Sequence, residues 1–247
     1  MKITFLMHSS FLVELDNTYL LFDYFEGERQ PFYKTNIKMP VLDKNKELYA
    51  FASHSHADHY SLELFKFSKE HGNTKFILSK DIRCTASFLE KHNIDSRVLD
   101  NTLFVKPGKK YEFGSVSFET LFSTDVGVAY LIECEGKTIY HAGDLNWWHW
   151  ENESDLEQKN AKRHYQSYLK GLKGRKIDLA FVPYDVKLNR AAIWGIEYFT
   201  GVANVQNLFP MHFWRQFDKV QNLKEKYLPN ADCKIFNITK ENEQFEL

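Results

Sequence analysis

The chain has 247 residues, enough to bury a real core as one large domain or two small ones, and no linker, low-complexity tract or charge block divides it. Its 32 Lys and Arg stand against 33 Asp and Glu, so there is no basic field to draw in a nucleic-acid backbone, which weighs against a nucleic-acid partner. No window approaches the roughly 20 apolar residues of a membrane helix.

Taken in order, residues 2–6, 10–15 and 19–23 read as three short strands, with a turn at Asp16-Asn17 and Asp23 closing the third. The apolar start is broken by His8, Ser9, Ser10 and Glu14 before the core of a signal peptide can form. Cys84, Cys134 and Cys233 are too widely spaced for a redox or zinc motif and read as buried thiols. A cytoplasmic protein with a single domain over 1–247 is expected. His8 is either a structural histidine or one that faces the site, and Asp23 is either a strand-end cap or a support for it. Residues 24–47, with Gly27, Pro31 and Pro40, form an irregular excursion placed at the rim of the site. An apolar strand at 48–53 then runs into FASHSHADHY.

Beyond it, 62–71 has helical spacing ended by Gly72, and 75–78 is a strand. Residues 81–92 read as a second amphipathic helix, with Asp81 near its start and Phe88 and Leu89 turned inward. Residues 98–105 then lead through a Pro107-Gly108 turn into strands expected at 110–113 and 116–122. FLVELDNTYLLFD and YLIECEGKTIYHAGD then share an apolar strand, an acidic turn, a second apolar strand and a terminal Asp, which suggests two related halves. The rest alternates. Helices are expected at 155–173 (buried stripe Leu156, Tyr165, Tyr168, Leu169, Leu172), 191–205 and 215–227, and strands at 177–182, 207–211 and 233–238.

Chemistry concentrates in FASHSHADHY, where His54, His56, Asp58 and His59 fall within six positions on a loop leaving a strand. Packing four such side chains into a core would strand polar groups, whereas imidazole with carboxylate suits Zn²⁺, Mn²⁺ or Fe. Two further strand ends carry candidate ligands, Asp144 in HAGD and His212 in FPMHFW. After Asp144 comes Asn146-Trp147-Trp148-His149-Trp150, whose indoles read either as walls of a substrate pocket or as packing. Tyr184, Asp185 and Arg190, at another strand end, read as polar contacts for a substrate.

The H-x-H-x-D-H motif, the opening KITFLMHSSFLVEL…LLFD, HAGD and the late His212 together resemble the metallo-β-lactamase superfamily from the first hairpin to His212. The HSSF and HAGD segments resemble its ascorbate-phosphate-lactonase-like branch. The resemblance implies an α/β (α+β) fold, a four-layer αββα sandwich of metallo-β-lactamase type, with one or two divalent ions (Zn or Mn, with Fe as a third option). Metal ligands would be His54, His56, Asp58, His59, Asp144 and His212, with Asp58 orienting the attacking water and Asp144 bridging. One feature departs from the family. The loop that usually carries another histidine reads Phe122-Ser123-Thr124-Asp125-Val126-Gly127, so Asp125 either replaces it as an oxygen ligand or is a plain turn residue. The expectation is a metal-dependent hydrolase of a small-molecule ester, lactone or phosphoester. A nuclease or phosphodiesterase, marked by Lys170, Lys173, Arg175 and Lys176, and a non-catalytic metal-binding scaffold stay open.

Overall fold

The computed structural model describes residues 1–27 and 34–247, so residues 28–33 of the expected excursion, Pro31 among them, lie outside the described residues. The chain folds as two compact units, Met1–Lys106 with Glu241–Leu247, and Pro107–Lys240.

In the first unit the strands β1 (Lys2–Met7), β2 (Ser10–Glu14), β3 (Thr18–Phe22), β4 (Glu47–Ala52), β5 (Thr74–Ser79) and β6 (Thr102–Val105) lie side by side in chain order. β1, β2 and β3 pair antiparallel, and β3 to β6 pair parallel. The runs SFLVE, TYLLF and ELYAFA are buried almost throughout rather than at alternate positions, as strands covered on both faces must be. Leu21, Leu48, Ala50, Phe76 and Leu78 form one apolar face, packed with Leu64, Phe65 and Phe67. Those last three come from the expected helix at 62–71, which is a 3₁₀ turn, Leu62–Lys66, followed by one turn of α-helix, α1 (Phe67–Glu70).

The second expected helix is shorter than its pattern. It starts only at α2 (Ala86–Lys91), because Thr85 Oγ1 caps it by accepting from Phe88 N, while Asp81 lies outside and accepts from Ser55 N at 2.8 Å. Leu89 is fully buried, but Phe88 is 39% exposed and does not turn inward.

The second unit repeats the plan. Its strands are β7 (Lys110–Phe113), β8 (Val116–Phe122), β9 (Val128–Cys134), β10 (Lys137–His141), β11 (Lys176–Pro183), β12 (Asn204–Met211) and β13 (Lys234–Ile235), again neighbours in chain order. Pairing is antiparallel from β7 to β10 and parallel from β10 to β13. The two sequence segments that echo each other are the hairpins β2–β3 and β9–β10, each followed by a parallel strand on the same side.

Helix α3 (Asp155–Tyr168) opens with a capping box between Ser154 and Glu157. Tyr165, Leu169 and Leu172 are buried as expected, whereas Leu156, in the first turn, is 68% exposed. The helix expected over 191–205 is α4 (Trp194–Val202), preceded by a 3₁₀ segment, Val186–Ile193, with a kink at Asn189. The helix expected over 215–227 keeps only the 3₁₀ turn Phe217–Val220 and α5 (Leu223–Tyr227). The chain does not close on 233–238: a last strand, Glu243–Glu246, returns to pair antiparallel with β1. Arg175, part of the expected basic cluster, pairs with Glu119 at 2.8 Å and lies 3.7 Å from Glu133, so part of that charge is neutralised.

Candidate metal centre

In the first unit the site is built at the C-terminal ends of β3 and β4. Asp23 N donates to Phe51 O at 2.9 Å, carrying the sheet pairing one residue past β3, and its backbone then turns left-handed at φ 44°. That turn aims the carboxylate at the histidine loop. Asp23 accepts from Ser53 N, Ser53 Oγ and His59 Nδ1, each at 2.7 Å, and is 1% exposed. Three charge-assisted bonds on one buried carboxylate make it the anchor of the loop.

The donors can be assigned from this anchor outward. A carboxylate only accepts, so the single Ser53 hydroxyl proton goes to Asp23. Ser53 Oγ lies 2.9 Å from His54 Nδ1 and must accept there, so His54 carries its proton on Nδ1. His59 likewise donates from Nδ1. In the neutral rings this tautomer leaves Nε2 as the lone pair, the form in which imidazole binds a metal.

The loop itself is folded back by His59 N and Tyr60 N, which both donate to His56 O at 3.0 Å. His54 Nε2 and His56 Nδ1 lie 3.0 Å apart, and the His54 and His59 rings 4.2 Å. His8, Asp58 and His59 each offer a ligand atom within 4.8 Å of the others. His54 and His59 are fully buried. This donor set, imidazole nitrogen with carboxylate oxygen, fits a borderline divalent ion such as Zn²⁺, Mn²⁺ or Fe²⁺.

In the second unit Asp144 follows β10 through Gly143 at φ 51°, and His212 follows β12 with its own backbone at φ 66°. Asp144 Oδ1 lies 3.5 Å from His212 Nε2, and Asp185 Oδ2 lies 3.2 Å from His212 Nδ1. Burial raises the Asp185 carboxyl, but His212 and the Lys187 backbone outweigh it and hold the group below the usual carboxylate range. Asp185, expected as a polar contact for a substrate, thus lies beside His212. Asp23 holds His59 in the same way, from the end of β3.

The remaining expected residues separate. Trp148 donates from Nε1 to Asp144 O at 3.0 Å, and its ring meets His212 edge-on at 5.3 Å. Trp147 instead packs on Trp194 of α4 at 5.4 Å, with Lys162 Nζ over its face at 5.2 Å. All three indoles of the loop, Trp150 included, are partly exposed. Tyr184 is buried beside Tyr227, and burial pushes its hydroxyl up to about 12. Arg190 is exposed on the Val186–Ile193 segment. In the histidine-free loop, Thr124 Oγ1 accepts from Asn146 N at 3.0 Å and donates to Asn146 O at 2.7 Å. Asp125 and Asp144 offer ligand atoms within 4.8 Å of each other.

The described residues thus have the capacity for one or two divalent ions. The family model of the β-lactamase superfamily domain matches residues 2–161, and the chain belongs to that superfamily. It is 32% identical over 148 residues to a UPF0173 metal-dependent hydrolase of Korarchaeum cryptofilum, covering 58% of this chain and 60% of the relative. It is 26% identical over 156 residues to one of Alkaliphilus metalliredigens, covering 58% and 63%. These matches span less than two thirds of the relatives' length.

Among solved structures, the metallo hydrolase Igni18 of Ignicoccus hospitalis is similar at TM-score 0.62, 18% identical, covering 100% of this chain and 98% of its own. An isothiocyanate hydrolase from Delia radicum gut bacteria is similar at TM-score 0.55, 12% identical, covering 100% and 99%. These likenesses show the fold, the four-layer αββα class expected from the sequence. No helix among the described residues is long and apolar enough to cross a membrane.

Proposed function

We propose that the chain acts as one domain over 1–247, a cytoplasmic hydrolase that uses a divalent ion and water to cleave a small-molecule ester, lactone or phosphoester, in the manner of the lactonase-like branch. His54, His56, Asp58, His59, Asp144 and His212 are the proposed ligands. The observation that carries this reading is the buried Asp23 anchor, which orients His54 and His59 as lone-pair donors before any ion arrives. When bound, the ion supplies Lewis acidity, lowering the pKa of a water from its bulk value toward about 7 and polarising the oxygen of the scissile group.

The protein's own part is positioning. Asp58 accepts a hydrogen bond from the attacking water and orients it, Asp144 fixes His212 and the ion register, and Asp185 holds the His212 tautomer. Trp148, fastened to the Asp144 carbonyl and edge-on to His212, forms a rigid apolar wall for the substrate. The partial neutralisation of Arg175 favours a small molecule over a nucleic-acid backbone.

The test is hydrolysis of a chromogenic ester, lactone and phosphodiester panel after reconstitution with Zn²⁺ or Mn²⁺. Turnover of at least one class is expected to require the ion and to disappear in Asp58→Ala. Metal uptake without turnover of any class would instead establish a binding scaffold.

A further inference from the structure

His8 and Ser9 form the two-residue turn between β1 and β2, since Met7 and Ser10 are paired across it. Such turns favour Asn-Gly or glycine, because their backbone enters the left-handed region, and they normally sit on the surface. Here a histidine occupies φ 57°, and both turn residues are fully buried. A turn that breaks both rules is expected where its side chain has a task.

The His8 ring supplies that task. Its Nε2 lies 3.5 Å from Asp58 Oδ2, its plane stands edge-on to His59 with centroids 5.7 Å apart, and it offers a ligand atom within 4.8 Å of those of both residues. Resting on the metal-centre reading above, we propose that His8 is itself a metal ligand, adding an imidazole through Nε2 to the position served by Asp58 and His59. That position is then rich in nitrogen. The one served by His54 and His56 depends more on carboxylates, so the two differ in the metals they prefer.

The experiment is titration of metal-free protein with Co²⁺, read by d–d absorption and affinity, in the parent, His8→Ala and His59→Ala. His8→Ala is expected to weaken one Co²⁺ at least about 100-fold and to shift its bands, because loss of an outer-shell partner alone costs about 10–100-fold. A smaller loss, or an unchanged spectrum, in a protein where His59→Ala abolishes that site would overturn the role of His8 and leave the metal centre standing. A parent that binds no Co²⁺ would sink both. Should His8→Ala fail to fold, ¹⁵N-histidine NMR of the parent decides: Zn²⁺ must shift five imidazoles, those of His8, His54, His56, His59 and His212, and a shift of only the last four overturns the assignment.

Discussion

A single carboxylate carries much of the local order. Asp23 holds Ser53 and His59 directly and His54 through the Ser53 hydroxyl, so its effect reaches histidines that are not adjacent in sequence. Asp23→Asn keeps the shape but offers one acceptor oxygen where three donors converge. It is expected to lower metal affinity about 10–100-fold and stability by about 1–3 kcal/mol. Metal titration and urea unfolding of the variant check both, and parental values in the two assays would remove Asp23 from its anchoring role. From the sequence Asp23 was a strand-end Asp with two readings, since a carboxylate gives no local sign of its partner. Asp185 shows the same limit: its type suggests a polar contact for a substrate, and only the fold shows that it lies beside His212.

At the scale of elements, strands were read more faithfully than helices. β2 to β5 fall within a residue or two of expectation because a run such as TYLLF has no other way to bury itself. Helix ends were decided by caps and by packing: Thr85 shortened α2, and Asn189 broke the run before α4. The join between α4 and the Asp144 loop is tight. A Cβ at Gly195 would lie 2.1 Å from Asn146 Oδ1, and Tyr165 donates to Gly195 O at 2.8 Å. Gly195→Ala must therefore displace Asn146, two residues from Asp144. The expected cost is about 1–3 kcal/mol with weakened metal binding, whereas Gly201→Ala, in the same helix and with nothing within 4 Å of a Cβ, should leave metal binding unchanged and stabilise by up to about 1 kcal/mol. Thermal melts and metal titrations of the pair make the comparison.

At the scale of the whole molecule, the absence of a histidine from residues 122–127 sets the proposed stoichiometry. Protein purified without added metal is expected to carry nearer one ion than two, and excess Mn²⁺ should raise occupancy and activity together. Asp125, whose carboxylate shares a neighbourhood with Asp144, is the replacement ligand in this scheme. Asp125→Ala should then lose the weaker ion, and elemental analysis showing two tightly held ions in both proteins would refute it. By itself the sequence determined the H-x-H-x-D-H loop, the two echoing hairpins and the superfamily, because ligand spacing and strand periodicity are local properties of the chain. Tertiary structure alone decided that His59 rests on Asp23, that His212 rests on Asp185, that His8 stands beside Asp58, and that Trp147 and Trp148 part company. Those pairings depend on sheet register and strand order, which bring together side chains up to dozens of residues apart whose types alone do not reveal the match.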